Sequence, residues 1–159
     1  MFSTELDPRI IGKHAAFDAS KSATFKATGY QFKVKYGDGS GAAGSVGTDT
    51  VTIGGVKVEN QVIELANNVS QSFIQDTNTD GLVGLAFSRL NTGTSTPPSL
   101  LLQALQPLTL GLVNDGTKKT PQKTFFDNVM PTLDLPVFTA DLDPDGTGVY
   151  EFGKIDASK

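Results

Sequence analysis

The clearest pattern in the chain is an alternation of apolar and polar positions over residues 30–36. Aromatic or aliphatic side chains stand at every second position, separated by Gln31, Lys33 and Lys35. A period of two places successive side chains on opposite faces of an extended strand. The pattern therefore predicts a β-strand whose apolar face is formed by Tyr30, Phe32, Val34 and Tyr36.

This strand begins a predicted β-meander that extends to residue 65. The glycine-rich run 37–41 cannot continue a regular strand, so it predicts a long hairpin loop at 36–41. Strand-forming residues resume over 46–53, and Gly54-Gly55 then separates two β-prone runs, as is typical of a two-residue hairpin turn. The third strand is indicated by Val56, Val58, Val62 and Ile63.

The second half of the chain carries shorter elements. Residues 66–80 are polar, and the apolar run 81–87, interrupted by glycine, predicts a short buried strand or loop. Two strands are indicated at 137–142 and 149–152 around a strong turn cluster. A helix capped by Thr124 and ending near Pro131 is predicted from the spacing of Phe125, Phe126, Val129, Met130 and Leu133. The fold class is therefore mostly β, with antiparallel sheets and one or two short helices.

One segment, residues 93–116, does not fit this pattern of strands, turns and short helices. A Thr- and Pro-rich start leads into a leucine-dense stretch from Leu100 to Leu112, which Pro107 interrupts. It is too short for a membrane span. Three alternatives stay open: an amphipathic helix that covers the sheet, a mobile or disordered insertion, and a helix that binds a partner.

Composition excludes several classes of function. The chain has 159 residues, no Cys, one His and a net charge of −4. It fits one domain without a disulfide framework, a thiolate nucleophile or a Cys- or His-based metal site. No G-x-S-x-G elbow accompanies His14, which is expected to be solvated. The acidic balance argues against a nucleic-acid partner, and no apolar run is long enough for a membrane.

Two further sequence features concern location. The start of the chain has no basic segment followed by an apolar one, so no signal peptide is visible. Asn68-Val69-Ser70 is an N-glycosylation triplet, which is usable only in a secreted chain; a plain surface loop is the alternative.

Four motifs follow one another along the chain: Tyr-Gly-Asp-Gly-Ser at 36–40, Asp-Gly-Leu-Val-Gly-Leu-Ala-Phe at 80–87, Lys-Thr-Phe-Phe-Asp-Asn at 123–128 and Phe-Gly-Lys-Ile-Asp at 152–156. In this order and spacing they resemble the fungal pepsin-like aspartic endopeptidases of the penicillopepsin and aspergillopepsin type. The resemblance covers nearly the whole chain except 93–116, and it is confined to the N-terminal lobe of that family.

The resemblance implies an acid endopeptidase of two similar β lobes, secreted or vacuolar, that acts on a peptide or protein substrate. Each lobe supplies one aspartate from an Asp-Thr/Ser-Gly loop, and the two carboxylates share a proton because like charges so close cannot both ionise. One carboxylate acts as base toward a water. A glycine-rich hairpin, the flap, closes over the peptide, and neither a metal nor an organic cofactor is expected.

Carried over by residue, the resemblance implies that Tyr36, Gly37 and Asp38 form the tip of the flap. Tyr36 would supply an aromatic wall, and Asp38 would accept a hydrogen bond from the substrate backbone; a plain hairpin with a solvated Asp38 is the alternative. Asp80 and Gly84 are expected to be structural. The positions that match the lining of the primary specificity pocket are Phe73, Asp76 and Leu82, although apolar residues there could simply be core.

The sequence departs from the family pattern at the catalytic motifs. It contains no Asp-Thr-Gly, no Asp-Ser-Gly and no Trp. The family's first catalytic triplet lies shortly before a stretch that corresponds here to residues 2–6, so we expect 1–159 to be a single truncated N-terminal lobe without either catalytic aspartate. Asp145 is followed by Gly-Thr-Gly with one residue too many, which indicates a turn. The segment 93–116 is a translated intron or a true insertion.

The resulting prediction is a truncated pepsin-like aspartic endopeptidase that is inactive or weakly active. One alternative is a small active protease that assembles its site in a homodimer. The other is a module that binds peptides or a protease lobe. If the chain is active, the catalytic residues are expected among Asp80, Asp38 and Asp145.

Overall fold

Antiparallel strands dominate the computed structural model, which describes residues 1–88 and 122–156. The leucine-rich segment 93–116 lies outside the described residues. The strands are β1 (Lys26–Lys35), β2 (Gly41–Ile53), β3 (Val56–Val69), β4 (Phe138–Leu142) and β5 (Gly148–Phe152). The helices are α1 (Pro8–Ile11), α2 (Gln71–Gln75) and α3 (Phe125–Val129), with 3₁₀ turns at Ala19–Lys21 and Met130–Thr132. The predicted mostly β fold class is confirmed.

The predicted meander is a three-stranded antiparallel sheet in the order β1-β2-β3. Gly54 and Gly55 connect β2 to β3 with φ values of 59° and 81°, the left-handed conformation that a two-residue hairpin turn of type I′ requires. The predicted start of the second strand at residue 46 is wrong, because β2 begins at Gly41. Ala42 pairs with both Val34 and Val69, so pairing on two sides extends the strand despite its glycines.

Two apolar clusters hold these strands in place. One lies on the sheet and has Phe32, Val46 and Ala66 at its centre. The other joins Val58 of β3 to α3 and has Phe152 of β5 packed against it. The predicted cap is confirmed: Thr124 Oγ1 accepts a hydrogen bond from the Asp127 amide at 3.1 Å, and α3 ends before the 3₁₀ turn that contains Pro131.

The first residues of the chain extend the sheet. Residues 1–3 run parallel to β3, with the Ala66 amide donating to the Met1 carbonyl at 2.9 Å and the Ser3 amide donating to the Ala66 carbonyl at 3.2 Å. Phe2 and Ser3 are buried there. The irregular start of the sequence is therefore fixed against the edge of β3.

The predicted burial of the run 81–87 is wrong. This segment is irregular, and the side chains of Leu82, Val83 and Phe87 are 64%, 63% and 67% exposed. Within the described residues no β-strand includes this run, so its apolar side chains lie at the sheet surface instead of in a core. Among the described residues, no helix has the length and apolar character needed to cross a membrane.

Candidate peptide-binding groove

An open groove of about 720 Å³ lies along the apolar face of the sheet. The segments that line it include the β1-β2 hairpin, Phe73 of α2 and the exposed run after residue 80. Each of these segments contributes at least one residue that the sequence assigns to substrate binding. The lining includes Tyr36, Gly37, Phe73 and Leu82, together with Phe32 and Val46.

The hairpin tip is a tight turn that its own residues stabilise. The Tyr36 amide donates to the Ser40 carbonyl at 2.8 Å, and the Gly39 amide donates back to the Tyr36 carbonyl at 3.1 Å. Gly39 has a φ of 87°, which glycine adopts without steric cost. The structure thus has a hairpin at 36–40 that projects beside the groove, as the sequence predicts.

The side chains of Tyr36 and Phe73 contact each other in the lining of the groove. The two rings are 5.8 Å apart and nearly perpendicular, the edge-to-face geometry that aromatic pairs prefer. Ser70, the residue before α2, is bonded to Gly41, the first residue of β2: its hydroxyl accepts from the Gly41 amide at 2.8 Å, and its own amide donates to the Gly41 carbonyl at 3.0 Å. The base of the hairpin and the start of α2 are therefore held together, and the two rings form one wall.

Glu64 adds a carboxyl group to this apolar lining, and the sequence analysis missed it. Burial raises the pKa of Glu64, and the Met1 ammonium opposes this only in part. Burial also raises the pKa of the Tyr36 phenol, and the charge of Glu64 adds to that effect. The sequence contained a signal for this position. Alternate residues of a strand share one face, and Glu64 stands between Val62 and Ala66 on the face that lines the groove.

The carboxylates of Asp38 and Asp76 accept hydrogen bonds within their own turns. Asp38 accepts from the amide and the hydroxyl of Ser40 at 2.9 and 2.7 Å, and these bonds lower its pKa. Asp76 accepts from the Asn78 amide at 3.2 Å and from the Thr79 hydroxyl at 3.0 Å. Neither residue lines the groove in this structure.

The expectation that His14 is solvated is wrong. Its ring is buried, with Nδ1 3.0 Å from the Thr79 carbonyl oxygen and Nε2 3.2 Å from the Ile74 carbonyl oxygen. Both ring nitrogens of His14 therefore lie within hydrogen-bond distance of backbone carbonyl oxygens from the segment 74–79. Nothing in the pattern around Lys13 and Ala15 indicates this role, because both partners lie far along the chain.

Asp80 belongs to the same cluster as His14. Its carboxylate lies 3.4 Å from His14 Nδ1 and accepts from the Ala15 amide at 2.9 Å, while its carbonyl accepts from the Phe2 amide at 3.1 Å. Three segments of the chain therefore meet at Asp80. No such contact surrounds Gly84, where an added Cβ would meet nothing within 4 Å among the described residues.

The structure does not bring the three candidate catalytic aspartates together. Asp80 faces His14, and Asp38 lies at the hairpin tip. Asp145 lies in the β4-β5 turn, where hydrogen bonds from the Thr147 hydroxyl and amide lower its pKa. A dyad that shares one proton needs two adjacent carboxyl groups, one of which has a raised pKa. Within the described part of the chain these three residues do not form that arrangement.

Comparison with known proteins identifies fungal relatives. The chain is 47% identical to a protein described as an aspergillopepsin A-like aspartic endopeptidase of Aspergillus fumigatus, with 100% of this chain and 32% of that protein covered. It is 42% identical to penicillopepsin-1 of Penicillium rubens, with 100% and 34% covered. It is 41% identical to endothiapepsin of Cryphonectria parasitica, with 99% and 32% covered. The chain thus spans about a third of the length of these relatives.

The fold comparison agrees with the sequence comparisons. The crystal structure of an aspartic proteinase from Irpex lacteus matches with a TM-score of 0.66 at 24% identity, covering 93% of this chain and 37% of that one. That likeness supports the pepsin-like antiparallel fold. The model of the eukaryotic aspartyl protease family matches residues 3–159, nearly the whole chain. The chain belongs to the eukaryotic aspartyl protease family.

Proposed function

We propose that this chain forms the flap half of a pepsin-like substrate cleft, which binds an extended peptide and cleaves it weakly or not at all. The parent reaction is hydrolysis of peptide bonds at acidic pH by two carboxylates that share a proton. The sequence lacks both forms of the catalytic triplet, so the groove supplies binding without the dyad. Residues 1–159 correspond to part of the N-terminal lobe of such a protease, and the same kinship supports a secreted or vacuolar location.

The contact between Tyr36 and Phe73 carries the proposal. It places an aromatic wall beside an apolar groove whose volume lies within the range usual for small-ligand sites. In the bound state Tyr36 covers one apolar side chain of the peptide, and Leu82 contacts it from the opposite segment. Asp38 and Asp76 reach the peptide by turning out of their present turns, and Gly37 admits its backbone.

Titration with a short apolar peptide tests binding apart from chemistry. The measurement is calorimetry or fluorescence anisotropy at mildly acidic pH with a peptide that carries two adjacent bulky apolar residues. Tyr36→Ala is expected to weaken binding by about tenfold, which corresponds to about 1.4 kcal/mol, and Tyr36→Phe to retain it because the ring remains.

Tyr150→Ala is the matched control, because Tyr150 is an exposed tyrosine of β5 and does not line the groove. Undetectable binding by the folded parent chain would contradict the proposal. So would an equal loss of affinity in Tyr36→Ala and Tyr150→Ala.

A second candidate function, an active homodimer, is favoured by the exposed run 81–87. Three large apolar side chains more than half exposed in one segment are typical of a surface that another chain covers. In this alternative a second copy covers the groove and supplies the other half of the cleft. Light scattering separates the two functions: a monomer at high concentration eliminates the homodimer, and a dimer that cleaves denatured protein eliminates the binding-only chain.

A further inference from the structure

Asn68 lies in the sequence triplet Asn-Val-Ser near the end of β3, in a strand and not in a loop. Its side chain is exposed, although the next residue, Val69, packs against the Phe32 cluster. No other Asn-X-Ser or Asn-X-Thr triplet with X other than Pro occurs in the sequence. A modification at this triplet would therefore be confined to one position.

The register of the sheet fixes the direction in which Asn68 points. Val69 pairs with Ala42, and both line the groove. Asn68 pairs with Ala43, one position along each strand, so its side chain lies on the opposite face of the sheet. A bulky group on Asn68 therefore extends into solvent without entering the groove or the apolar cluster.

The pairing of β2 with β3 is irregular next to this position. The pairing shifts between Ala43 and Gly44, which leaves Asn67 as an extra residue in β3. Asn67 Nδ2 donates to the Glu5 carboxylate at 3.4 Å. The side chain of Asn67 is therefore held near Glu5, whereas the side chain of Asn68 is exposed to solvent. β3 pairs with β2 on one edge, and on its other edge residues 1–3 lie beside Ala66, two residues before Asn68.

We propose that Asn68 is an acceptor of N-linked oligosaccharide. The donor is a polyprenyl diphosphate-linked oligosaccharide of the secretory pathway. Asn68 Nδ2 forms a bond to C1 of the first N-acetylglucosamine, the bond from C1 to the phosphate oxygen breaks, the lipid diphosphate leaves and the amide loses one proton. The group is large, hydrated and compatible only with a surface position, which Asn68 provides.

Ser70 has two successive roles in this proposal. In the nascent chain its hydroxyl completes the acceptor triplet. In the folded chain the same hydroxyl accepts the Gly41 amide at 2.8 Å and holds the base of the flap hairpin. Ser70→Ala therefore removes both the oligosaccharide and a hydrogen bond, whereas Asn68→Gln removes the oligosaccharide alone.

The proposal rests on the secretory location proposed above, and the experiment separates the two. Residues 1–159 are produced in a eukaryotic host behind a cleavable foreign leader, so that entry into the pathway does not depend on the natural gene. We expect most chains to lose mass on treatment with an amidase that releases N-glycans. Mass spectrometry should then find Asp at position 68.

Variants identify the acceptor. Asn68→Gln should abolish the mass loss, Ser70→Thr should retain it, and Asn67→Gln is the matched control that leaves it unchanged. The chains retained inside the cell are analysed in the same way, since oligosaccharide transfer precedes export. The absence of a glycan from both pools, or a glycan that persists in Asn68→Gln, overturns the proposal. A glycosylated chain that binds no peptide leaves this inference standing and contradicts the proposed function alone.

Discussion

The imidazole of His14 lies flat against the ring of Phe2, with centroids 4.2 Å apart and planes 10° from parallel. Phe2 covers one face of the buried ring, and the carbonyl oxygens of Ile74 and Thr79 lie next to its two nitrogens. Residues 1–3, residue 14 and the segment 74–80 are distant in sequence and are in contact here. The contacts of His14 thus hold the segment 74–80 close to Phe2, which lies at the edge of β3.

The contacts of His14 predict a large loss of stability on truncation. His14→Ala removes the ring nitrogens that lie within hydrogen-bond distance of two backbone carbonyl oxygens, and it removes the ring that covers Phe2. We expect the free energy of unfolding in urea to fall by about 2–3 kcal/mol, since an unsatisfied buried polar group costs about 1–3 kcal/mol. Lys13→Ala is the control and should change little. Equal stability of the two variants would contradict the structural role of His14.

Glu64 predicts a dependence of stability on pH. Burial raises the pKa of Glu64 in the folded chain, so the folded state binds its proton more tightly than the unfolded state does. Its contribution is fully present below the ordinary glutamate pKa and is lost as the pH rises through the raised value. We expect urea midpoints to fall across that window and Glu64→Gln to flatten the fall.

Glu59→Gln is the matched control for Glu64. A hydrogen bond from Lys57 lowers the pKa of Glu59, so this residue contributes in the opposite direction, and only weakly because it is exposed. The fall in stability with rising pH should persist in Glu59→Gln. A profile that stays unchanged in Glu64→Gln would show that another group causes the dependence.

The long leucine-rich segment is expected to be dispensable for the fold. Its flanks meet in the described structure: the Thr124 amide donates to Ser88 Oγ at 3.2 Å, and the Ser88 amide donates to the Asp127 carboxylate at 3.1 Å. Shortening a loop whose ends already meet adds no closure cost. Deletion of 94–115 should therefore preserve the far-ultraviolet circular dichroism of the sheet.

A second variant makes the deletion informative. Ser88→Ala removes the hydroxyl between the two flanks and should lower the melting temperature in both the full and the deleted chain. If the deletion abolishes the β signal while Ser88→Ala does not, the removed segment belongs to the core. The alternative of a helix that covers the sheet would then be favoured.

Local pattern was sufficient for the strands of the meander and for the capped helix. The alternation from Tyr30 to Tyr36 and the Gly54-Gly55 turn depend on neighbours in sequence, so the chain alone indicates them. His14 and Glu64 could not be assigned as easily. The partners of His14 lie 60 and 65 residues away, and the burial of Glu64 depends on the segments that surround the groove.

The run 81–87 was predicted to be buried, and the structure exposes it. Its composition is that of a buried strand, and composition carries no information on whether another strand lies beside it. The irregular backbone and exposed side chains of this run are tertiary features. The same limit applies to Asp38 and Asp76, because their carboxylates accept hydrogen bonds from neighbouring residues and neither lines the groove.

Proteolytic activity is expected to be absent or far below that of a two-lobe relative. Catalysis needs two carboxyl groups within a few ångströms that share one proton and hold one water, and positional errors above about 0.5 Å are costly. Hydrogen bonds from Ser40 and Thr147 lower the pKa values of Asp38 and Asp145, so neither has the raised pKa that one member of a shared-proton dyad needs. The carboxylate of Asp80 accepts a hydrogen bond from the Ala15 amide. The measurement is cleavage of denatured protein at acidic pH, with and without pepstatin. Pepstatin-sensitive cleavage that disappears in Asp80→Asn, Asp38→Asn or Asp145→Asn would overturn the expectation, whereas cleavage that survives all three changes would indicate a contaminating protease.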